Sequence, residues 1–588
     1  MMADNKLIYA IEERIGQPDL FTGRKEELSY FERWADEISM KLSRSTALLS
    51  RGKKGKTALV ERLYNIIYTK NGPLVPFYFE VKEGSKWIVD FALSFYTSFI
   101  SQYLGFKLRD VSLCRTIKSL DELNEIALKN GYKAISDNIK LFKDALKDKD
   151  MVDTIWNNAQ SAPHRIASVT GDYIVQIIDE FQFMNSEIYW DTGKTRVAND
   201  LAGTYLSLAE SKVAPMLVTG SWVSWLKNII RGQLPGRFIE TELNNLKEEE
   251  GLEAIYNYSI ITGVPVSDDV ALYLNKLVNS DPFYISAIIR SIYKDKDLTT
   301  IDGLMKTLDF ELRRGSIYGT WMEYITRTLS TVNDKNAKKI VLFLSKNREK
   351  EWTRQEIIAK CNLPYDDREA ENKLQMLIKG DLISEGSTSI RYKGMTDDIF
   401  YKVFRYKYEE EIENFPLEKI LDEEREKELM QIEALQKEIK SLKGREKYYK
   451  GHILEYVLMK YLKFEQYKKE NAALKDKIYN PIQGAEFTRY QEVKPYKVML
   501  EGGREHEIDI WAKSYEEGKD LFIEVKSWEK PISKNDAEKF VKTVRDMKTL
   551  GIKGYFIYYS INGFEDDAKK YLDDNGIMYA DKKSWAIV

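Results

Sequence analysis

The sequence predicts an α/β multidomain protein. Short apolar runs alternate with helix-period segments over the first 245 residues, strand-free helical patterns follow, and the alternation returns after about residue 448. At 588 residues the chain has room for roughly three or four domains. Charged residues make up 31% and hydrophobic ones 43%, a soluble globular balance. With 90 Lys and Arg against 93 Asp and Glu, the net charge of -3 gives no global attraction to nucleic acid, so any basic binding surface must be local. Cys114 and Cys361 stand far apart without metal-ligand spacing, which argues against a disulfide framework or a zinc site and fits a reducing compartment. There is no signal pattern and no apolar run near the roughly 18 residues of a membrane span, so a cytoplasmic protein with no membrane partner is expected.

Within residues 1–245, "TALLS", "LVPFYFEV", "YIVQIID" and "APMLVTGS" are the strands expected of a parallel sheet. A helical insertion, about 86–165, falls between the second and third; its aromatic stretch "FALSFYTSFISQYLGF" reads as helix core or subunit contact. Residues 246–330 read as helices. Residues 335–408 give three helical segments and a hairpin, "SEGSTSIRYKGMTDD", the layout of a winged helix. In the densely charged stretch 417–447, Ile432, Leu435, Ile439 and Leu442 alternate spacings of three and four, which predicts a connector helix. Residues 448–588 form the last α/β domain.

"LLSRGKKGKTALVERL", residues 48–63, runs from a strand through a small basic loop into a helix. Gly55, Lys56 and Thr57 fill the second half of the phosphate-loop pattern G-x-x-x-x-G-K-[ST], in which backbone N–H groups surround phosphates, the lysine reaches the terminal ones and the hydroxyl helps hold magnesium. Ser50 stands where the first glycine belongs, and Gly52 offers an alternative flexible point. "YIVQIIDEFQ" ends a strand in Asp179 and Glu180, at the sheet edge where ligands bind. There Asp179 can hold Mg2+ through water and Glu180 can polarise a water against the γ-phosphate.

The first 330 residues resemble the archaeal ATPase family, in the STAND branch of AAA+ proteins, related to origin-recognition ATPases. "FTGRKEEL", with Gly23 and Arg24, resembles the family segment beside the adenine. "LVTGS" resembles the sensor strand, which implies a role for Ser221 between loop and water. "LPGRF" resembles the G-R motif, which implies Arg237 as the γ-phosphate arginine, in cis or in trans, with Arg231 as rival. "NSDPFYISAII" resembles the G-N-P segment of a helical lid, departing from it at Ser280 and Asp281. The resemblance implies ATP as ligand.

"EHEIDIWAKSYEEGKDLFIEVKSW", residues 505–528, carries the second site. Glu524 and Lys526, two apart on a strand, share a face, and pairing with the strand "EIDIWA" adds Asp509. Two carboxylates can hold one or two divalent ions while the lysine positions or deprotonates water. Glu455, on the amphipathic "YYKGHILEYVLMKYL", can complete the metal shell; Glu507 is expected on the face of Asp509, as a further contributor or only a solvated acid, and His452 and His506 flank the site as structural residues. This ordered set resembles the PD-(D/E)xK nuclease superfamily, particularly its restriction-endonuclease-like and Mrr-like members, over about 140 residues, and "GYFIYYSINGFEDDAKKYLDDNGIMYAD" repeats its strand, helix, short-strand ending. In the winged helix, Arg391, Tyr392 and Lys393 suit phosphate contacts, whereas the candidate recognition helix is as acidic as basic.

Together these readings predict an ATP-binding and hydrolysing enzyme coupled to a Mg2+-dependent nuclease (Mn2+ also suits the second site) that cleaves DNA, in defence or mobile-element biology. Two alternatives stay open: a nucleotide-gated, oligomerising switch that binds nucleic acid without cutting it, and an RNase.

Overall fold

The structure, a computed structural model, describes residues 7–147, 151–221, 223–233, 236–332, 335–388, 390–413, 454–455, 458–459, 461–462, 474–485, 487, 490–500, 504–516, 518–528 and 530–585. The chain forms two compact units, Met1–Arg425 and Glu426–Val588. The connector helix expected over 417–447, and His452, lie outside the described residues.

The first unit begins with α1 (Lys25–Ile38), β1 (Thr46–Leu49), α2 (Lys56–Lys70), β2 (Leu74–Glu80) and the two-residue β3 (Lys86–Trp87). Six helices follow: α3 (Ile88–Leu108), α4 (Val111–Arg115), α5 (Leu120–Lys129), α6 (Lys133–Ala145), α7 (Val152–Gln160) and α8 (Ala162–Thr170). Phe95 and Phe99 of α3 meet Phe77 of β2 edge-on at 5.1 Å, so the aromatic run is core, each ring contributing about 1.5–3 kcal/mol by burial. Then come β4 (Tyr173–Asp179), the short β5 (Ile188–Tyr189) paired with β3, α9 (Leu201–Leu206), β6 (Met216–Gly220), α10 (Val223–Gln233) and β7 (Ile239–Glu242).

The main sheet has the order β2-β4-β6-β1-β7, every pair parallel. Four of its strands coincide with the runs read from sequence. The fifth, β7, has the polar sequence Ile-Glu-Thr-Glu and needs no apolar alternation because it is an edge strand, held by its ladder to β1. This order brings the carboxyl ends of β1, β6 and β4 side by side, opening one crevice at the sheet edge.

Helices α11 (Glu248–Thr262), α12 (Asp268–Leu277), α13 (Pro282–Ile289), α14 (Ile301–Arg313) and α15 (Ser316–Val332) come next. After them, α16 (Lys335–Lys346), β8 (Trp352–Thr353), α17 (Arg354–Cys361), α18 (Asp367–Lys379), β9 (Ile383–Glu385), β10 (Arg391–Gly394) and α19 (Asp398–Glu413) form a module whose antiparallel sheet has the order β8-β10-β9. Tyr392 on the central strand β10 is fully buried and donates from its hydroxyl to Glu371 at 2.7 Å. It is therefore not a phosphate contact, because strand alternation turns it inward while its exposed neighbour Arg391 faces out.

In the second unit, β11 (Tyr490–Leu500), β12 (Arg504–Ser514) and β13 (Leu521–Lys526) pair antiparallel. β13, β14 (Tyr555–Ser560) and β15 (Met578–Asp581) pair parallel, through crossover helices α20 (Lys534–Thr549) and α21 (Asp566–Asp574). Phe540 and Leu572 of these helices cover one sheet face with Phe522 and Tyr558; Leu454, Leu458 and Phe487 pack with Ile523 and Val525 in the core of the other.

Candidate active sites

The loop from β1 to α2 places its charged groups by backbone geometry. Gly55, at φ 90°, caps α2, no side chain caps that end, and a Cβ at Gly55 would meet only open space. The first N–H groups of α2 are thus free of side-chain partners, the arrangement that accepts phosphate. Lys56, buried, donates to the carbonyls of Ser50 at 2.5 Å and Arg51 at 3.1 Å, and burial holds its pKa below the ordinary value. Thr57 donates to Asp179 Oδ2 at 2.7 Å, Tyr78 donates to the same oxygen at 3.2 Å, and Thr219 donates to Oδ1. A hydroxyl and a buried carboxylate thus adjoin at the head of α2, a donor set that fits a nucleotide-bound magnesium ion.

Glu180 follows in left-handed backbone, φ 53°, which turns its carboxylate toward β6. It accepts from Ser221 Oγ at 3.0 Å and from Gln182, whose amide also donates to Ser221 at 2.8 Å. Glu180, Ser221 and the Asp179–Thr57 pair therefore share the crevice set by the strand order. A Cβ at Gly52 would come 4.0 Å from Ser221 Cβ. Gly23 has φ 66°, and a Cβ there would overlap Glu250 at 2.7 Å. Arg24, buried, donates to the Lys54 carbonyl at 2.9 Å and so ties the N-terminal segment to the loop. Arg237 instead pairs with Glu210 at 2.9 Å and Arg231 with Glu240 at 2.7 Å, their side chains 38% and 63% exposed; acidic neighbours, not the loop, hold both in this arrangement.

Sequence reasoning missed how the loop's other cations are engaged. Arg51 ion-pairs with Asp397 and stacks 4.6 Å over Trp321, while Tyr284 donates to Asp397 at 2.8 Å. Lys54 pairs with Asp281, the very position that departs from the lid pattern, and with Asn245. All of these except Trp321 line a cavity of about 790 Å³. Asp381 lines a second, of about 420 Å³, that also reaches Arg51; burial raises its carboxyl to about 6.

In the second unit a bulge decides the geometry. Lys494 faces Trp511 and Tyr496 faces Ile508, so two steps on β11 span three on β12 and one residue is extra at 509–510. Ile508 and Ile510 consequently enter cores on opposite faces of the sheet. Asp509 accepts from the Val525 N–H at 2.6 Å, and Lys526 Nζ donates to Glu524 Oε1 at 2.6 Å. Burial and the Glu524 charge push the Asp509 carboxyl well up against the opposing pull of Lys526, and Glu455 adds to the rise. Burial also acts to raise Glu524, but His506 and Lys526 outweigh it and hold that carboxyl low.

The bulge overturns the expected place of Glu507. Its carboxylate is 51% exposed and lies 3.6 Å from Lys497, away from the buried Glu524. His506 turns toward the site instead, its Nε2 3.8 Å from Glu524 Oε2, and both atoms are buried without a hydrogen-bond partner. Among the described residues no three His, Cys, Asp or Glu side chains stand close enough together to hold a metal ion as a group. The unpartnered Glu524 oxygen and the imidazole nitrogen 3.8 Å from it are nevertheless a pair of donors that fits a divalent cation.

Residues 486–586 match the restriction endonuclease family. The match, to the Mrr catalytic domain, contains the bulge, Asp509, Glu524 and Lys526. Solved structures similar to the chain include a Walker-type ATPase of Pyrococcus abyssi, with 13% identity and a TM-score of 0.45, covering 67% of this chain and 97% of that one. Others are the Aeropyrum pernix ORC2 protein in its ADP form (12%, 0.37, 66% and 95%) and the Aeropyrum pernix ORC1 protein in complex with DNA (10%, 0.32, 66% and 93%). No curated protein matches. The chain joins an α/β core that carries a phosphate-loop pattern to a C-terminal segment that matches the restriction endonuclease family, and among the described residues no helix is long and apolar enough to cross a membrane.

Proposed function

We propose that this protein is a nucleotide-controlled, metal-dependent nuclease acting on DNA. One observation carries the reading: a bulged strand pair brings Asp509, Glu524 and Lys526 together inside the segment that matches the restriction endonuclease family. Asp509 and Glu524, with Glu455 beside them, would hold Mg2+ or Mn2+. The cation supplies Lewis acidity to a scissile phosphodiester. Lys526, anchored on Glu524, orients the attacking water and sets positive charge beside the phosphorane-like oxygens. In the first unit Lys56 and the head of α2 bind the ATP phosphates, Thr57 and Asp179 hold magnesium, and Glu180, positioned by Ser221 and Gln182, orients water against the γ-phosphate.

The 335–413 module acts as a winged helix. Its Asp397 grips the loop through Arg51, so nucleotide phosphate and this module would share one guanidinium. Arg391 and Lys393 offer phosphate contacts to DNA. The design suits defence against invading genetic elements in the cytoplasm. A second reading, a slow STAND-type switch with self-assembly as output, is favoured by the engagement of Arg51, Lys54, Arg231 and Arg237 by carboxylates.

Incubating supercoiled and linear DNA with Mg2+ or Mn2+, with and without ATP, tests the proposal. Asp509→Ala is expected to abolish cleavage, and Lys56→Ala to change its nucleotide dependence while leaving the metal requirement intact. No cleavage by the unaltered protein under any of these conditions would overturn the DNA nuclease reading in favour of the switch or of another nucleic acid.

A further inference from the structure

The strand pair that holds Glu524 also presents an imidazole to it, and ordinary strand alternation does not anticipate this. Without the bulge, His506 and Asp509, three apart on β12, would lie on opposite faces of the sheet. With the extra residue at 509–510, His506 stays on the face of Ile508 and Glu524 while Asp509 is carried to the N–H of Val525, the residue after Glu524. The result is a buried Glu524 with one oxygen bonded to Lys526 and the other bare, opposite a bare Nε2.

The separation of these two atoms tells what the gap is for. At 3.8 Å they are too far apart for a hydrogen bond. Two donors each about 2.1 Å from one ion stand between about 3 Å apart, at a right angle, and about 4.2 Å, when opposite. A shared cation therefore satisfies both orphaned atoms without moving either strand, whereas left bare in the interior each keeps its full desolvation penalty.

We propose that His506 Nε2 is a metal ligand of the nuclease site together with Glu524, and that it biases the site toward transition-metal dications over Mg2+. The proposal rests on the nuclease reading above and deepens it. Magnesium prefers an all-oxygen shell, and an imidazole nitrogen adds affinity mainly for the more polarising first-row dications. Lys526 already occupies the other Glu524 oxygen, so His506 supplies a ligand that a divalent ion at this site would otherwise take from water.

The chain holds only three histidines, which makes a direct test practical. The full-length protein, labelled with 15N-histidine, is loaded with Mn2+, and electron spin-echo envelope modulation reads any nitrogen bound to the metal. Asp509→Ala identifies which bound Mn2+ belongs to this site. The expected result is an Asp509-dependent Mn2+ with a 15N coupling that disappears in His506→Gln. In that variant Mn2+ affinity should fall by about 10- to 100-fold, while Mg2+ affinity, read by competition, should change by less than about threefold. Asp509-dependent Mn2+ with no histidine coupling in the unaltered protein would overturn the inference while sparing the nuclease reading, and that measurement needs no variant at position 506. A coupling that survives His506→Gln would also overturn it. No Asp509-dependent Mn2+ at all would remove the metal site and the inference together.

Discussion

Left-handed backbone in the phosphate loop falls at Lys53, φ 68°, and Gly55, φ 90°, and not at Ser50. Ser50 is buried with its carbonyl turned to Lys56, a conformation open to any small residue, so the missing glycine carries no backbone strain. Ser50→Gly should therefore change nucleotide affinity by less than about threefold, whereas Gly55→Ala adds about 1–2 kcal/mol of left-handed strain at the head of α2. The loop would relax by turning its N–H groups away, and affinity should fall about 5- to 30-fold. Titration with a fluorescent ATP analogue separates the two; a Ser50→Gly variant that binds about tenfold tighter would show that the serine does limit the loop. At this scale the spaced motif was legible: Lys56, Thr57, Asp179 and Glu180 meet as their order along the chain implied. Arg51 was not, because its partner Asp397 lies 346 residues away and a salt bridge leaves no local pattern.

Among the elements, β12 shows where periodicity stops being informative. Alternation assigns Glu507 and Asp509 to one face, which is correct for a regular strand. One extra residue against β11 undoes it, and nothing in "EHEIDIW" announces a bulge. The polar edge strand β7 was invisible for a related reason: its register comes from the backbone ladder to β1, not from buried side chains. The helical insertion was legible because its apolar residues repeat at helical spacing and are in fact buried. That insertion carries a testable acid sensitivity. His164 on α8 is partly buried with both ring nitrogens shut away from solvent, and this desolvation holds its imidazole down near 4, below the usual 6.5. Between those values the unfolded chain binds a proton that the folded imidazole refuses, so stability falls as pH drops through this window. The full shift corresponds to roughly 3 kcal/mol. Replacing it in His164→Gln, neutral throughout, should flatten the dependence of thermal midpoint on pH between about 6.5 and 4 relative to the unaltered protein. Equal slopes for the two proteins would show that another group sets the acid sensitivity.

At the scale of the whole chain, the question is how a nucleotide at one sheet edge could govern anything else. Within the first unit the connection is physical. Asp397 precedes α19, accepts from the Phe400 N–H at 2.9 Å and from Tyr284, and holds Arg51 of the loop. Arg51 spends one guanidinium nitrogen on Asp397 while its Nε has no partner, so a phosphate that reaches this side chain shares its charge with the module, and any such linkage is reciprocal. Asp397→Asn keeps the side-chain shape and removes its charge, leaving Arg51 buried and free for phosphate. Nucleotide affinity should then rise by about 5- to 150-fold, the span of ordinary coupling energies. Without nucleotide, β10 and α19 should exchange their amide hydrogens faster, because breaking a buried pair from one side exposes the uncompensated charge. Isothermal titration and hydrogen exchange measure the two effects on the same sample. If Asp397→Asn binds nucleotide no more tightly and exchange across 391–413 is unchanged, the Arg51–Asp397 pair is only a structural tie, and control of the nuclease must enter the chain elsewhere.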